Sequence, residues 1–139
     1  MKGTRMAGGK GPMTTAPTAR TKDHGAVFTA LRLLLKPFED KFAVKTDKPG
    51  NCCLETRSAS LNGRRLFFAA AKAKKNYVSF YLTPLYMFPE LSFGISPTLK
   101  KRMQGQSCFN FTTVDQDCFD ELGRLTEAGF QRFKSEALL

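Results

Sequence analysis

Val27, Ala30, Leu31, Leu34 and Phe38 recur at the three- and four-residue spacing of a single helical face. This spacing predicts a helix that starts at a cap from Thr21 or Asp23 and runs to about Lys36. Pro37 then discourages continuation, because its ring clashes with the preceding turn. Beyond it the period shortens to two. Phe42–Thr46 reads as a strand, Asp47-Lys48-Pro49-Gly50 as a turn, and Asn51 to about Ser60 as the returning strand. Asn62-Gly63 is the strongest hairpin signal in the chain. Leu66–Ala71 is apolar on both faces, as a central strand would be, and Lys72–Asn76 reads as a further turn. Tyr77–Leu82 alternates strictly, with Val78, Phe80 and Leu82 on one face and Tyr77, Ser79 and Tyr81 on the other. Four sequential strands with short links predict an antiparallel meander.

The second half is less regular. Thr83–Ile95 contains Pro84, Tyr86, Phe88, Pro89 and Phe93, and reads as a loop or a broken helix. Ser96-Pro97 has the form of an N-cap followed by proline at the first helical position. The short helix it starts would turn Leu99 and Met103 inward and Lys100, Lys101 and Arg102 outward, and end at Gly105. Ser107–Thr112 makes a fifth strand, with Phe109 and Phe111 opposite Cys108 and Asn110. A last helix, capped by Asp115 or Asp117, extends to about Lys134 with Phe119, Leu122, Leu125, Phe130 and Phe133 as its buried stripe. Asp117, Asp120 and Glu121 complement the positive start of that helix, while Gly123 and Gly129 mark a close contact or a bend. The expected fold class is α+β: an antiparallel sheet of about five strands flanked by the N-terminal and C-terminal helices.

Composition sharpens this picture in a few places. Residues 1–22 are rich in Gly, Thr, Ala and Pro, and carry too little apolar surface to offset ordering. They are expected to form a disordered basic tail on one domain spanning residues 23–139, with Met6 and Met13 as alternative starts. No apolar stretch follows the basic N-terminus and none is long enough for a membrane span, so the expected compartment is the cytoplasm. The four cysteines, Cys52, Cys53, Cys108 and Cys118, form no CxxC and are read as small buried apolar residues. His24 is the only histidine, which argues against a multi-histidine metal site or a histidine-based triad. No phosphate loop, nucleophile elbow or metalloprotease motif occurs. The expectation is therefore a non-enzymatic domain without cofactor or metal.

Charge supplies the one positive signal. The chain has 22 Lys/Arg against 12 Asp/Glu, a net charge of +10. Residues 57–102 concentrate it, with nine basic residues against Glu90 alone. Within that segment Lys74, Lys75, Tyr77, Tyr81, Tyr86 and Arg102 are the candidate ligand-binding residues, with Arg64, Arg65, Lys72, Lys100 and Lys101 close in sequence. Phenol rings beside ammonium groups suit an anionic small molecule or an acidic protein partner, and more weakly a nucleic acid. The structural alternative is that the tyrosines lie under the last helix and the lysines occupy exposed turns.

Three segments carry a resemblance: Lys74-Lys75-Asn76-Tyr77-Val78-Ser79-Phe80-Tyr81, the loop Thr83-Pro84-Leu85-Tyr86, and the run from Lys101 to Phe111 that includes Arg102-Met103-Gln104-Gly105. Over residues 26–135 the chain resembles the YdhG-like family of small bacterial domains of unknown function. That family has a similar hairpin, strand and proline loop, then a short basic helix, a glycine turn, an aromatic strand and a closing helix. The resemblance implies an α+β fold with the sheet flanked by the first and last helices. Some members look frataxin-like and are proposed intracellular iron chaperones, which implies oxygen ligands from carboxylates. Here that role would fall to Glu39 and Asp40 or to the Asp115–Glu121 cluster. The expected function is thus a cytoplasmic binding or adaptor domain for an anion, with iron chaperoning and weak nucleic-acid binding as alternatives.

Overall fold

A computed structural model describes residues 23–58 and 63–139. The expected tail over 1–22, the Thr21 cap and the Asn62 position of the hairpin lie outside the described residues. Asp23 caps the first helix, α1 (His24–Leu35), by accepting a hydrogen bond from the Ala26 N–H at 3.1 Å. A single 3-10 turn, Lys36–Phe38, follows at the proline. The sheet comprises β1 (Ala43–Lys48), β2 (Asn51–Glu55), β3 (Phe67–Ala73), β4 (Val78–Leu82) and β5 (Cys108–Phe111). Their order in space is their order in sequence, and every neighbour is antiparallel. Between β4 and β5 the chain forms α2 (Thr83–Met87), a 3-10 turn (Pro89–Ser92) and the one-turn α3 (Pro97–Lys100). The last helix, α4 (Gln116–Ser135), is capped by Asp115, which accepts from the Cys118 N–H at 3.2 Å.

The α+β meander is as the alternation requires, with β3, apolar on both sides, at its centre. Several boundaries move. β1 continues through Asp47 and Lys48, which leaves Pro49-Gly50 as the turn, with Gly50 at φ 76°. β3 continues through Lys72 and Ala73, so Lys72 is a strand residue rather than a turn residue. α3 stops at Lys100, not at Gly105. Met103 instead bridges to Phe109, and Gly105, at φ 80°, bends the chain back into β5. The aromatic stretch after β4 is a helix broken at Phe88.

The described helices form one layer on one face of the sheet, where α1 and α4 touch each other and α2 leans on α4. On that face Leu54, Ala69, Ala71, Phe80, Leu82 and Phe109 meet Val27, Leu31, Leu35, Leu122 and Phe133 in a single core. Two register slips shape it. Leu54 pairs with Ala69 but Glu55 with Phe67, so Phe68 is an extra residue that joins Ala69 on the covered face. Likewise Val44 pairs with Leu54 and Thr46 with Cys53, which leaves Lys45 bulged on the edge strand.

Candidate functional site

Among the described residues no helix lies over the second face of the sheet. Strand register arranges its side chains in two rows. One runs Cys53, Ala70, Tyr81, Cys108; the other runs Asn51, Lys72, Ser79, Asn110. Small Ala70 and Ser79 are fully buried between their taller neighbours, so the rows have low centres. Tyr81 stands half-exposed, and the Lys72 ammonium lies 5.8 Å from its ring centroid. Ser79 Oγ donates to Asn110 Oδ1 at 2.6 Å, and the Asn110 amide donates in turn to Gln104 Oε1. This chain of bonds fixes the polar row and ties β5 to the segment that covers its outer edge.

Electrostatics place further cations around the rows. Burial pushes the Cys53 thiol up, and the charges of Lys45 and Lys72 oppose that shift. Burial also pushes the Cys108 thiol up, against a hydrogen bond from Ser79 and the charge of Lys74. Ammonium groups therefore flank both ends of the Cys53–Cys108 row. Lys45, Lys72 and Lys74 have no carboxylate partner among the described residues, whereas Arg65 pairs with Glu55 at 3.3 Å and Arg32 with Asp47 at 2.9 Å.

The sequence-derived candidates divide accordingly. Tyr81 lies on the uncovered face, and alternation puts Tyr77 on the same side, one residue before β4. Lys74 closes the β3–β4 hairpin by donating its N–H to the Tyr77 carbonyl at 2.8 Å, with Lys75 exposed at the tip. Tyr86 is 69% exposed, but α2 carries it into the helix layer, away from Tyr81. Arg102 follows α3, and its charge acts on the Cys118 thiol at the start of α4. Lys72, read from the sequence as a basic turn residue beside the candidates, completes the face together with Lys45 and the Ser79–Asn110 pair. For Lys72 a signal existed, since extending the alternation of β3 by two residues sets it opposite Ser79.

A cleft of about 550 Å³ at the start of α4 is lined by Ser96, Asp115, Asp117, Asp120, Glu121 and Arg124. Three of its four carboxylates already have structural work. Asp115 caps α4, Asp120 accepts from Gln116, and Glu121 accepts from the Ser96 N–H at 2.8 Å and the Ser96 hydroxyl at 2.6 Å. Among the described residues no group of three or more His, Cys, Asp or Glu is placed to hold a metal ion. No helix among them is long and apolar enough to cross a membrane.

Cys118, beside this cleft, permits a pH prediction. Burial first, and then the neighbouring Asp115 carboxylate, push its thiol from 9.0 up to about 11. The folded chain thus holds this proton more tightly than the unfolded chain. The resulting stabilisation is complete below about pH 9 and is lost as pH rises through about 11. Urea melts across that window should show stability falling more steeply for the wild type than for Cys118→Ala; parallel profiles would contradict the assignment.

No family model, no curated protein and no solved structure matches the chain.

Proposed function

We propose that the protein is a non-enzymatic cytoplasmic binding domain whose uncovered sheet face takes an anionic ligand. The observation that carries this reading is the Lys72 ammonium beside the half-exposed Tyr81 ring on a face over which no helix of the described residues lies. Lys45 and Lys74 add positive charge at its two ends. Unpaired cations over a low-lying surface attract anions, and a phenol ring beside them offers a stacking plane for the apolar part of a ligand. Membership of the YdhG-like family belongs to the same proposal, and the meander between first and last helices supports it. The frataxin-like iron alternative draws no support from Asp115, Asp120 and Glu121 at the start of α4, which cap the helix or tie side chains and segments together.

A panel of nucleotides and sugar phosphates, titrated into labelled protein and followed by amide shifts, tests the reading. Shifts at Lys72, Lys74 and Tyr81 are expected. Lys72→Gln and Tyr81→Ala should each raise Kd about tenfold, equivalent to ~1.4 kcal/mol. An empty screen, or binding indifferent to both substitutions, would remove the proposal. The second reading, weak single-stranded nucleic-acid binding, uses the same face, because two tyrosines on one side of β4 beside lysines form a stacking platform. It requires oligonucleotide affinity that falls steeply with salt.

A further inference from the structure

Phe93 is 82% exposed, the most exposed large apolar side chain among the described residues. It ends the Pro89–Ser92 turn and lines a cleft of about 550 Å³ together with Pro89, Ile95 and Met103. Lys100 supplies the cleft's one charge, and Gln106 an amide. Its two walls are held by local hydrogen bonds. Ser92 Oγ donates to the Pro89 carbonyl at 2.8 Å, and the Ile95 N–H donates to the Ser92 carbonyl at 3.2 Å. Opposite them, the Gln104 N–H donates to the Cys108 carbonyl at 2.8 Å, which pins the Met103–Gly105 bend against β5. The cleft is therefore a built feature with defined walls. It lies apart from Tyr77 and Tyr81, neither of which lines it.

Its volume falls within the range of small-molecule sites, about 300–1,000 Å³. Its chemistry is specific in kind. The lining is mixed: Pro89, Phe93, Ile95 and Met103 are apolar, with a thioether at Met103 that adapts to irregular shapes, and Ser92, Lys100 and Gln106 are polar. Phe93 presents most of its ring to solvent at the mouth of the cleft. Lys100 has no ion-pair partner among the described residues, and no carboxylate lines the cleft. We infer that the cleft is a second binding site, separate from the sheet face, for a small organic anion with a flat apolar body, such as an aromatic carboxylate or sulfonate. The ring of the ligand lies against Phe93 and Met103, and its anionic head meets the Lys100 ammonium and the Gln106 amide. A bare inorganic anion would leave the apolar part of the lining unused, and a neutral hydrocarbon would leave Lys100 without its counter-charge.

Anilinonaphthalene sulfonate, whose fluorescence rises in apolar surroundings, is a suitable probe for the full chain. Saturable binding at one site per chain is expected, with amide shifts at Ile95, Met103 and Gln106. Phe93→Ala and Lys100→Gln should each weaken it about fivefold, the scale of one aromatic contact or one charge-assisted bond. Both side chains are exposed, so both variants should keep the near-UV circular dichroism of the wild type. Benzenesulfonate should displace the probe and sulfate should not. Non-saturable binding, indifference to both substitutions, or displacement by sulfate as readily as by benzenesulfonate would overturn the inference. Lys72→Gln separates the two sites: it should leave probe binding unchanged, and an equal loss there would also overturn it.

Discussion

Phe68→Ala is expected to lower the free energy of unfolding by about 3–5 kcal/mol. Phe68 is 0% exposed, and three elements meet on its ring. It stacks on Phe42 at 4.1 Å with planes 13° apart, and it lies 6.0 Å from Phe38 and 5.5 Å from Phe133. Removing it leaves a void between the turn after α1, the centre of the sheet and the end of α4. Those surroundings are aromatic rings already fitted against one another, so collapse into the space is limited and the cavity term stays large. A domain of ordinary stability, about 5–15 kcal/mol, would lose a large share of it. Urea denaturation at neutral pH should show a lower midpoint with an unchanged slope. Phe93→Ala serves as the contrast and should stay within about 0.5 kcal/mol of the wild type, because that ring sits in solvent. A loss at Phe68 no larger than at Phe93 would mean that the ring is not in the core.

The residue that carries this effect was not singled out by its sequence neighbourhood. Strict alternation from Ala69 and Ala71 assigns Phe68 to the opposite face, with Ala70 and Lys72. The slip between Leu54 and Glu55 reverses the assignment, and such a slip depends on the partner strand as much as on β3 itself. The same limit hid Lys45, which leaves the alternation of β1 through the slip between Val44 and Thr46. Local patterns were otherwise informative where local physics decides. The helical stripe of α1, the Asp23 and Asp115 caps and the two faces of β4 could each be read from residues within a few positions of one another. The candidate site was legible by half. Tyr77, Tyr81 and Lys74 share one strand pair, so their association is local. Tyr86 and Arg102 follow chain segments whose direction is set by tertiary contacts, α2 against α4 and the Arg102 carbonyl against the Asn110 N–H. Lys72 was assigned to a turn because β3 was ended at Ala71, where its apolar run stops. Only its pairing with Ser79 makes it a residue of the sheet face.

The contact between α2 and α4 can itself be tested at Gly129, where two physical effects oppose each other. In a helix interior alanine is favoured over glycine by about 1 kcal/mol, so Gly129→Ala would ordinarily stabilise α4. Here a β-carbon would lie 2.8 Å from Pro84 Cγ and 2.9 Å from Pro84 Cβ, well inside van der Waals contact. Pro84 is buried at the start of α2, and its ring cannot rotate aside. Relief therefore requires α2 to move off α4, and overfilling of this kind costs about 1–3 kcal/mol. Two approaches under 3.0 Å to a rigid ring put the steric cost toward the upper end of that range, so it exceeds the helical gain and net destabilisation of up to about 2 kcal/mol is expected for Gly129→Ala. Gly123 provides the opposite case on the same helix. A β-carbon there would sit 3.6 Å from Leu34 Cδ2, an ordinary contact, so Gly123→Ala should gain up to about 1 kcal/mol. Thermal melts should move the two variants in opposite directions from the wild type, by several degrees each for a domain of this size. A Gly129→Ala protein as stable as the wild type would show that α2 is not seated on α4 at this glycine. The position of Tyr86, which α2 carries, would then be free to change, and with it the separation of that ring from the sheet face.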